Sequence, residues 1–126
     1  MKKIINTDNA PAPIGPYNQA VLSGNTLYIS GQIPMDPRTG TLIDGDIKKE
    51  TKQSMENLKA ILTAANMTFD HVVKSTISLK DMHQVSEVNE VYGTYFNTET
   101  APARETVEVA NLPKFVHVEI SMIAVK

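Results

Sequence analysis

Apolar positions recur every second residue in some stretches of this chain and every third or fourth in others, and the changes of period mark its elements. Gln19-Ala20-Val21-Leu22 and Thr26-Leu27-Tyr28-Ile29-Ser30 flank Ser23-Gly24-Asn25, which predicts a hairpin. Pro34, Asp36-Pro37, Thr39-Gly40 and a turn at Asp44-Gly45 predict a loop without regular structure as far as Ile47. From Ile47 to Ala65, the apolar positions Ile47, Met55, Leu58, Ile61, Leu62 and Ala65 fall within an arc of roughly 120° on a helical wheel. Lys48, Lys49, Lys52, Glu56 and Lys59 take the other side, and Asn66 follows where a left-handed residue ends a helix.

Val72 to Leu79 alternates, with Val73, Ser75, Ile77 and Leu79 on one face and Val72, Lys74, Thr76 and Ser78 on the other, as a strand does. A second helix is predicted over about Met82 to Phe96 from the stripe Met82, Val85, Val88, Tyr92, Tyr95 and Phe96, with Asn89 inside it. Strands at Glu105–Val109 and Phe115–Val125 complete an order of strands, helix, strand, helix and two strands. That order is α+β, or a split βαβ sandwich. No repeat, linker or low-complexity segment divides the chain, so one domain over residues 1–126 is expected. Two helices can cover only one face of such a sheet. The other face mixes polar and apolar residues, so part of it is expected to pack against another copy of the chain.

Composition narrows the function more than the fold. A net charge of -2 without a basic run offers no electrostatic footprint for nucleic acid or an anionic membrane surface, so neither partner is expected. The absence of Cys excludes disulfides, thiolate nucleophiles and cysteine-ligated metals. Met1-Lys2-Lys3-Ile4-Ile5-Asn6 lacks the apolar core of a secretory signal and no stretch approaches transmembrane length, which together predict a soluble cytoplasmic protein. Phosphate-loop, dinucleotide, nucleophile-elbow and zinc-helix motifs are missing. His71, His83 and His117 are far apart with no ligand spacing, so no metal site is expected.

The remaining chemistry lies in the last quarter of the chain. Arg104 follows Ala101-Pro102-Ala103 at the head of a strand; such an arginine is commonly a surface charge, but Pro102 fixes an extended entry and limits its aim. Its planar fork suits a carboxylate. Glu119 shares a strand face with His117 and Ser121, opposite Val118, Ile120 and Met122; it is either a solvated side chain or a carboxylate with few waters and a raised pKa. Tyr17 follows Ile14-Gly15-Pro16 in a turn, and Ser30-Gly31 ends a strand where backbone groups could approach a ligand. Asn89 is either a buried, hydrogen-bonded amide or a side chain reaching a pocket.

Taken together, Gly15-Pro16-Tyr17, Ser30-Gly31-Gln32-Ile33-Pro34, Val72-Val73-Lys74, Val88-Asn89-Glu90-Val91-Tyr92 and the tail from Pro102-Ala103-Arg104 through Leu112-Pro113-Lys114 to Val118-Glu119-Ile120 closely resemble the RidA (YjgF) family. The resemblance implies a chorismate-mutase-like α+β fold, with a mixed sheet, two helices on one face and a homotrimer with three clefts between subunits. It implies hydrolysis of reactive 2-enamine and 2-imine acids, such as 2-aminoacrylate, to 2-oxo acids and ammonia, with no cofactor and no metal. By the same resemblance Arg104 would bind the substrate carboxylate, Glu119 would position water and shuttle protons, and Tyr17 would contact substrate or water. Ser30, Gly31, Asn89 and the Thr106 backbone would line the cleft. Many members carry Cys at the position of Thr106; that side chain is absent here, which leaves a backbone role and makes thiol chemistry impossible. The short connection between the last two strands reads as a hairpin, whereas the family inserts the final strand into the middle of the sheet; the family arrangement is the expectation. Arg104 and Glu119 would then meet across a subunit boundary. Two other readings are a non-catalytic ligand-binding or regulatory trimer, and a chorismate mutase, for which Arg38 and Arg104 are too few cations.

Overall fold

Six strands form one mixed sheet in the computed structural model, which describes residues 1–126. They are β1 (Lys2–Ile5), β2 (Ala20–Ser23), β3 (Thr26–Gln32), β4 (Val72–Leu79), β5 (Ala103–Glu108) and β6 (Val118–Val125), arranged β1-β2-β3-β6-β4-β5. Helix α1 (Ile47–Ala64) connects β3 to β4, and α2 (Val85–Tyr92) lies between β4 and β5, which pair in parallel. The chain is therefore α+β. Strand β6 is antiparallel to both β3 and β4 and enters between them, so the last two strands form no hairpin. No helix is long and apolar enough to cross a membrane.

Local signals explain most of the boundaries. The Asp46 carboxylate accepts from the backbone N–H groups of Lys48 and Lys49 and starts α1; Asn66, at φ 58°, follows its end. Met55, Leu58, Ile61 and Leu62 are buried against β3 and β6, each contributing about 2 kcal/mol of apolar burial. The buried side of α1 is wider than its apolar stripe, for Glu50, Thr51, Ser54 and Asn57 are buried too. Asn57 donates through Nδ2 to the carbonyls of Ile33 (3.1 Å) and Met35 (3.0 Å), tying down the chain that leaves β3.

Four expectations need correction. Strand β1 was not expected: it is short, exposed over Lys2–Ile4 and carries two lysines, so it shows no alternation, yet it pairs with β2 along its length. The second helix is shorter than Met82–Phe96, with 3₁₀ turns at Met82–Gln84 and Gly93–Tyr95 on either side of α2; Asp81 caps the first, and Phe96 is already extended. An irregularity between Val72 and Lys74 buries Val72 and leaves Val73 exposed, against the simple alternation. The last strand begins at Val118 rather than Phe115, because Lys114 (φ 55°) and Phe115 (φ 57°) are left-handed and cannot continue a ladder.

Asn57→Ala leaves two carbonyls without their donor and is expected to cost about 1–3 kcal/mol of stability. Gln53→Ala, which removes only the side chain bonded to Asn57 Oδ1 at the helix surface, is expected to stay within about 0.5 kcal/mol of the parent. Urea unfolding of both variants checks the contrast.

Candidate active site

Strand β6 carries Glu119 between Val118 and Ile120, both fully buried on the helix-covered face, so the glutamate points to the open face beside Ser78 of β4. Its side chain lies across Gly31 of β3. A methyl group on Gly31 would sit 2.6 Å from Glu119 Cδ and 2.9 Å from Oε1, so only glycine leaves room for the carboxylate there. The carboxyl makes no hydrogen bond or ion pair within the chain, and burial raises its pKa above the ordinary value.

The residues around Gly31 hold the Tyr17 loop in place. Ser30 donates through Oγ to the Asn18 carbonyl (2.7 Å), so its hydroxyl braces the loop. The Gln19 amide donates to the carbonyls of Thr7, Ala10 and Pro11, pinning the N-terminal segment alongside. Tyr17, half-exposed, shares with Gly31, Ile14 and Ile33 a small cavity of about 30 Å³, roughly the room of one water. Gln19 and Asn57 were not singled out from sequence, and only the carbonyls they reach in the fold show why they matter.

Arg104 lies elsewhere. In the parallel register of β4 and β5 it stands beside Ser75, whose side chain is buried on the helix-covered face, so Arg104 and Glu119 occupy opposite faces of the sheet. Its guanidinium carbon sits 5.0 Å from the centroid of the Tyr92 ring of α2. No carboxylate lies within salt-bridge distance of it. Arg104 lines an open depression of about 320 Å³ with Asn89, Tyr92, Phe96 and Thr98. Asn89 is exposed there, which excludes the buried-amide reading. Thr106, two residues along β5 from Arg104, has its Oγ1 covered without a hydrogen-bond partner.

One chain thus carries two separated groups of candidate residues: Tyr17, Ser30, Gly31 and Glu119 toward the open face, and Asn89, Arg104 and Thr106 at the β5 edge under α2. The open face also exposes Tyr28, Val107 and Val125. A third cluster, absent from any sequence spacing, joins Asp44, Glu50 and His117, whose donor atoms lie within 4.8 Å of one another. There the buried Glu50 carboxylate accepts from His117 Nδ1 at 3.0 Å, a bond that links the first turn of α1 to the chain entering β6.

A mixed six-stranded sheet with β6 inserted at its centre, carrying an unpaired arginine at one edge and a half-buried glutamate on the open face, defines an α+β class of fold. The chain belongs to the RidA family, and the endoribonuclease L-PSP family model matches residues 7–126. It is 55% identical over 126 residues to a RutC family protein of Pyrococcus horikoshii, covering all of this chain and 99% of that protein. It is 50% identical over 126 residues to the 2-iminobutanoate/2-iminopropanoate deaminase of Bos taurus, covering 100% of this chain and 91% of that protein. Among solved structures it is similar to RidA from the Antarctic bacterium Psychrobacter sp., with a TM-score of 0.94, 45% identity and coverage of 98% and 99% of the two chains. It is also similar to E. coli TdcF with bound serine, with a TM-score of 0.92, 42% identity and 98% of each chain covered.

A raised carboxyl pKa means that the folded state keeps its proton to higher pH than the unfolded chain, so stability falls as pH rises through the window between the two values. The parent is therefore expected to lose stability relative to Glu119→Gln as pH rises above about 4.3, and to run parallel to it once both states are ionised. Urea midpoints from pH 4 to pH 8 check this; parallel curves throughout would mean a solvated carboxylate.

Proposed function

We propose that this chain, as one RidA-type domain over residues 1–126, is a cytoplasmic hydrolytic deaminase that converts 2-enamine and 2-imine acids to 2-oxo acids and ammonia. The observation that carries the reading is a guanidinium without a protein counter-ion in a fold whose other candidate group is a half-buried carboxylate without a protein donor. A small acid needs the first, and water addition needs the second. The 50% identity to a named 2-iminobutanoate/2-iminopropanoate deaminase over the whole chain supports the same chemistry.

The enamine tautomerises to the imine R–C(=NH)–COO⁻, whose carboxylate pairs with the Arg104 fork. Glu119 takes a proton from water as the oxygen bonds to the imine carbon and passes that proton to the nitrogen, which gives the aminol R–C(OH)(NH2)–COO⁻. It then takes the hydroxyl proton as the carbonyl forms and delivers it to the departing nitrogen, which leaves as ammonia. The sum is imino acid plus water to 2-oxo acid plus ammonia. Tyr17 orients the water or substrate, Gly31 allows close approach, and Ser30 acts through the loop it braces. Asn89 and the Thr106 backbone complete the binding surface. The substrate is already electrophilic, so positioning and one acid/base group supply the acceleration. The steps as written call for no metal or redox cofactor.

Arg104 and Glu119 occupy opposite faces of one chain, so a complete site draws them from two copies. A homotrimer, with its open faces packed together and its clefts at the subunit boundaries, supplies that arrangement and covers Tyr28, Val107 and Val125. The net charge of -2 fits a small-molecule site better than an RNA surface. The TdcF structure holds serine, which favours as a second reading a trimer that binds small amino or oxo acids without turning them over.

Light scattering on the purified chain is expected to give the mass of a trimer at micromolar concentration; a monomer removes the shared site. In an assay that generates imine with threonine dehydratase and follows 2-oxo acid, Glu119→Gln is expected to lose about 10²–10⁴-fold in turnover while keeping its assembly. Arg104→Ala is expected to lose about 10- to 100-fold in kcat/KM, and Arg104→Lys nearly as much, because lysine keeps the charge but not the fork. An inactive parent that still binds 2-oxo acids would select the second reading.

A further inference from the structure

Tyr92 takes no part in the reaction written above, yet its ring is the surface on which the Arg104 guanidinium rests, 5.0 Å from guanidinium carbon to ring centroid. The ring is itself held from two directions. Its hydroxyl donates to Ser75 Oγ at 2.9 Å in a buried bond, and Phe96 packs against it at 4.8 Å between centroids, with Phe69 behind Phe96 at 5.4 Å. Ser75 is fully buried and is the register partner of Arg104 across the parallel pair β4 and β5. The three residues therefore close a circuit: Arg104 to its strand neighbour Ser75, Ser75 to the Tyr92 hydroxyl, and the Tyr92 ring back to the Arg104 head group.

This circuit solves a specific problem. An arginine on an exposed edge strand samples many rotamers, and ordering it at the moment of binding weakens the ligand by that entropy. A carboxylate partner would order the side chain but compete with the carboxylate of the ligand. An aromatic face attracts the cation and leaves its charge uncompensated. We propose that Tyr92, locked by Ser75, is a positioning residue that pre-orders the Arg104 fork for the carboxylate of the ligand. The proposal rests on the assignment of Arg104 as the carboxylate clamp.

Calorimetric titration of the full-length assembled protein with 2-oxobutanoate tests it, alongside the coupled deaminase assay. Tyr92→Leu is expected to raise the dissociation constant about fivefold. Tyr92→Phe and Ser75→Ala, which keep the ring but release it, are expected to raise it about two- to threefold each and no further when combined. In the assay the same variants raise KM while kcat holds, and in an Arg104→Ala background Tyr92→Leu changes binding no further. Loss of binding in Arg104→Ala with none in the Tyr92 and Ser75 variants overturns the positioning role and leaves the clamp standing. Equal losses from Tyr92→Leu with and without Arg104 also overturn it, since that pattern belongs to a general structural defect. Wild-type binding by Arg104→Ala overturns the clamp and the positioning role together. Should Tyr92→Leu not fold, Tyr92→Phe and Ser75→Ala decide, and unchanged affinity in both rejects the proposal.

Discussion

Strand β6 is the constraint on which the rest of the structure depends. By pairing with β3 on one side and β4 on the other, it satisfies the backbone groups of both inner strands and welds the N-terminal meander to the two helical crossovers. Its strict alternation then divides the molecule. Val118, Ile120, Met122 and Ala124 enter the core under the helices, so Glu119 and Ser121 must stand on the open face. A slip of one residue would exchange the two sets, burying a carboxylate in the core and exposing four apolar side chains.

The same division governs the electrostatics. An arginine within reach of Glu119 in the same chain would hold the carboxylate as an ion and lower its pKa, the opposite of the shift that burial produces. With Arg104 at the β5 edge on the helix-covered face, each group stays unpaired in the single chain. The half-buried carboxylate costs stability because burial removes water from the ion without supplying a partner, whereas the exposed Arg104 stays hydrated. The surrounding scaffold offsets the cost with ordinary, fully used contacts. Gln19 gives its amide to three carbonyls, Asn57 gives its own to two, and Ser30 braces the Tyr17 loop. The buried amides of Gln19 and Asn57 are thus hydrogen-bonded, while Glu119 and Arg104 keep their charged groups without a protein partner.

Sequence reading failed where the local signal was weak or where a long-range contact overrode it. Strand β1 is too short and too charged to show a period, and it exists because β2 offers an edge. The apolar stripe of the second helix continued past Tyr92 to Tyr95 and Phe96, yet those rings belong to an aromatic cluster with Phe69 and are reached through a 3₁₀ turn and an extended residue. The face of Val73 was inverted by a bulge that only the pairing with β6 creates. Within the candidate site, Arg104, Glu119 and Gly31 stand out in the sequence by residue type and position, whereas Tyr92 reads as an ordinary member of an apolar stripe.

The sequence by itself determined the period of both helices and of most strands, the α+β order, the left-handed stop at Asn66 and a short inventory of polar residues suited to a small acid. These are properties of neighbouring residues, where side-chain spacing and backbone preference act directly. The tertiary structure decided the strand order, the burial of Glu50 and Asn57, the close fit of Glu119 over Gly31, and the placing of Arg104 and Glu119 on opposite faces. Each of these depends on which distant strand or helix arrives alongside. That choice is made by the whole set of hydrogen-bonded edges and apolar faces that must be covered at once, which no local pattern encodes.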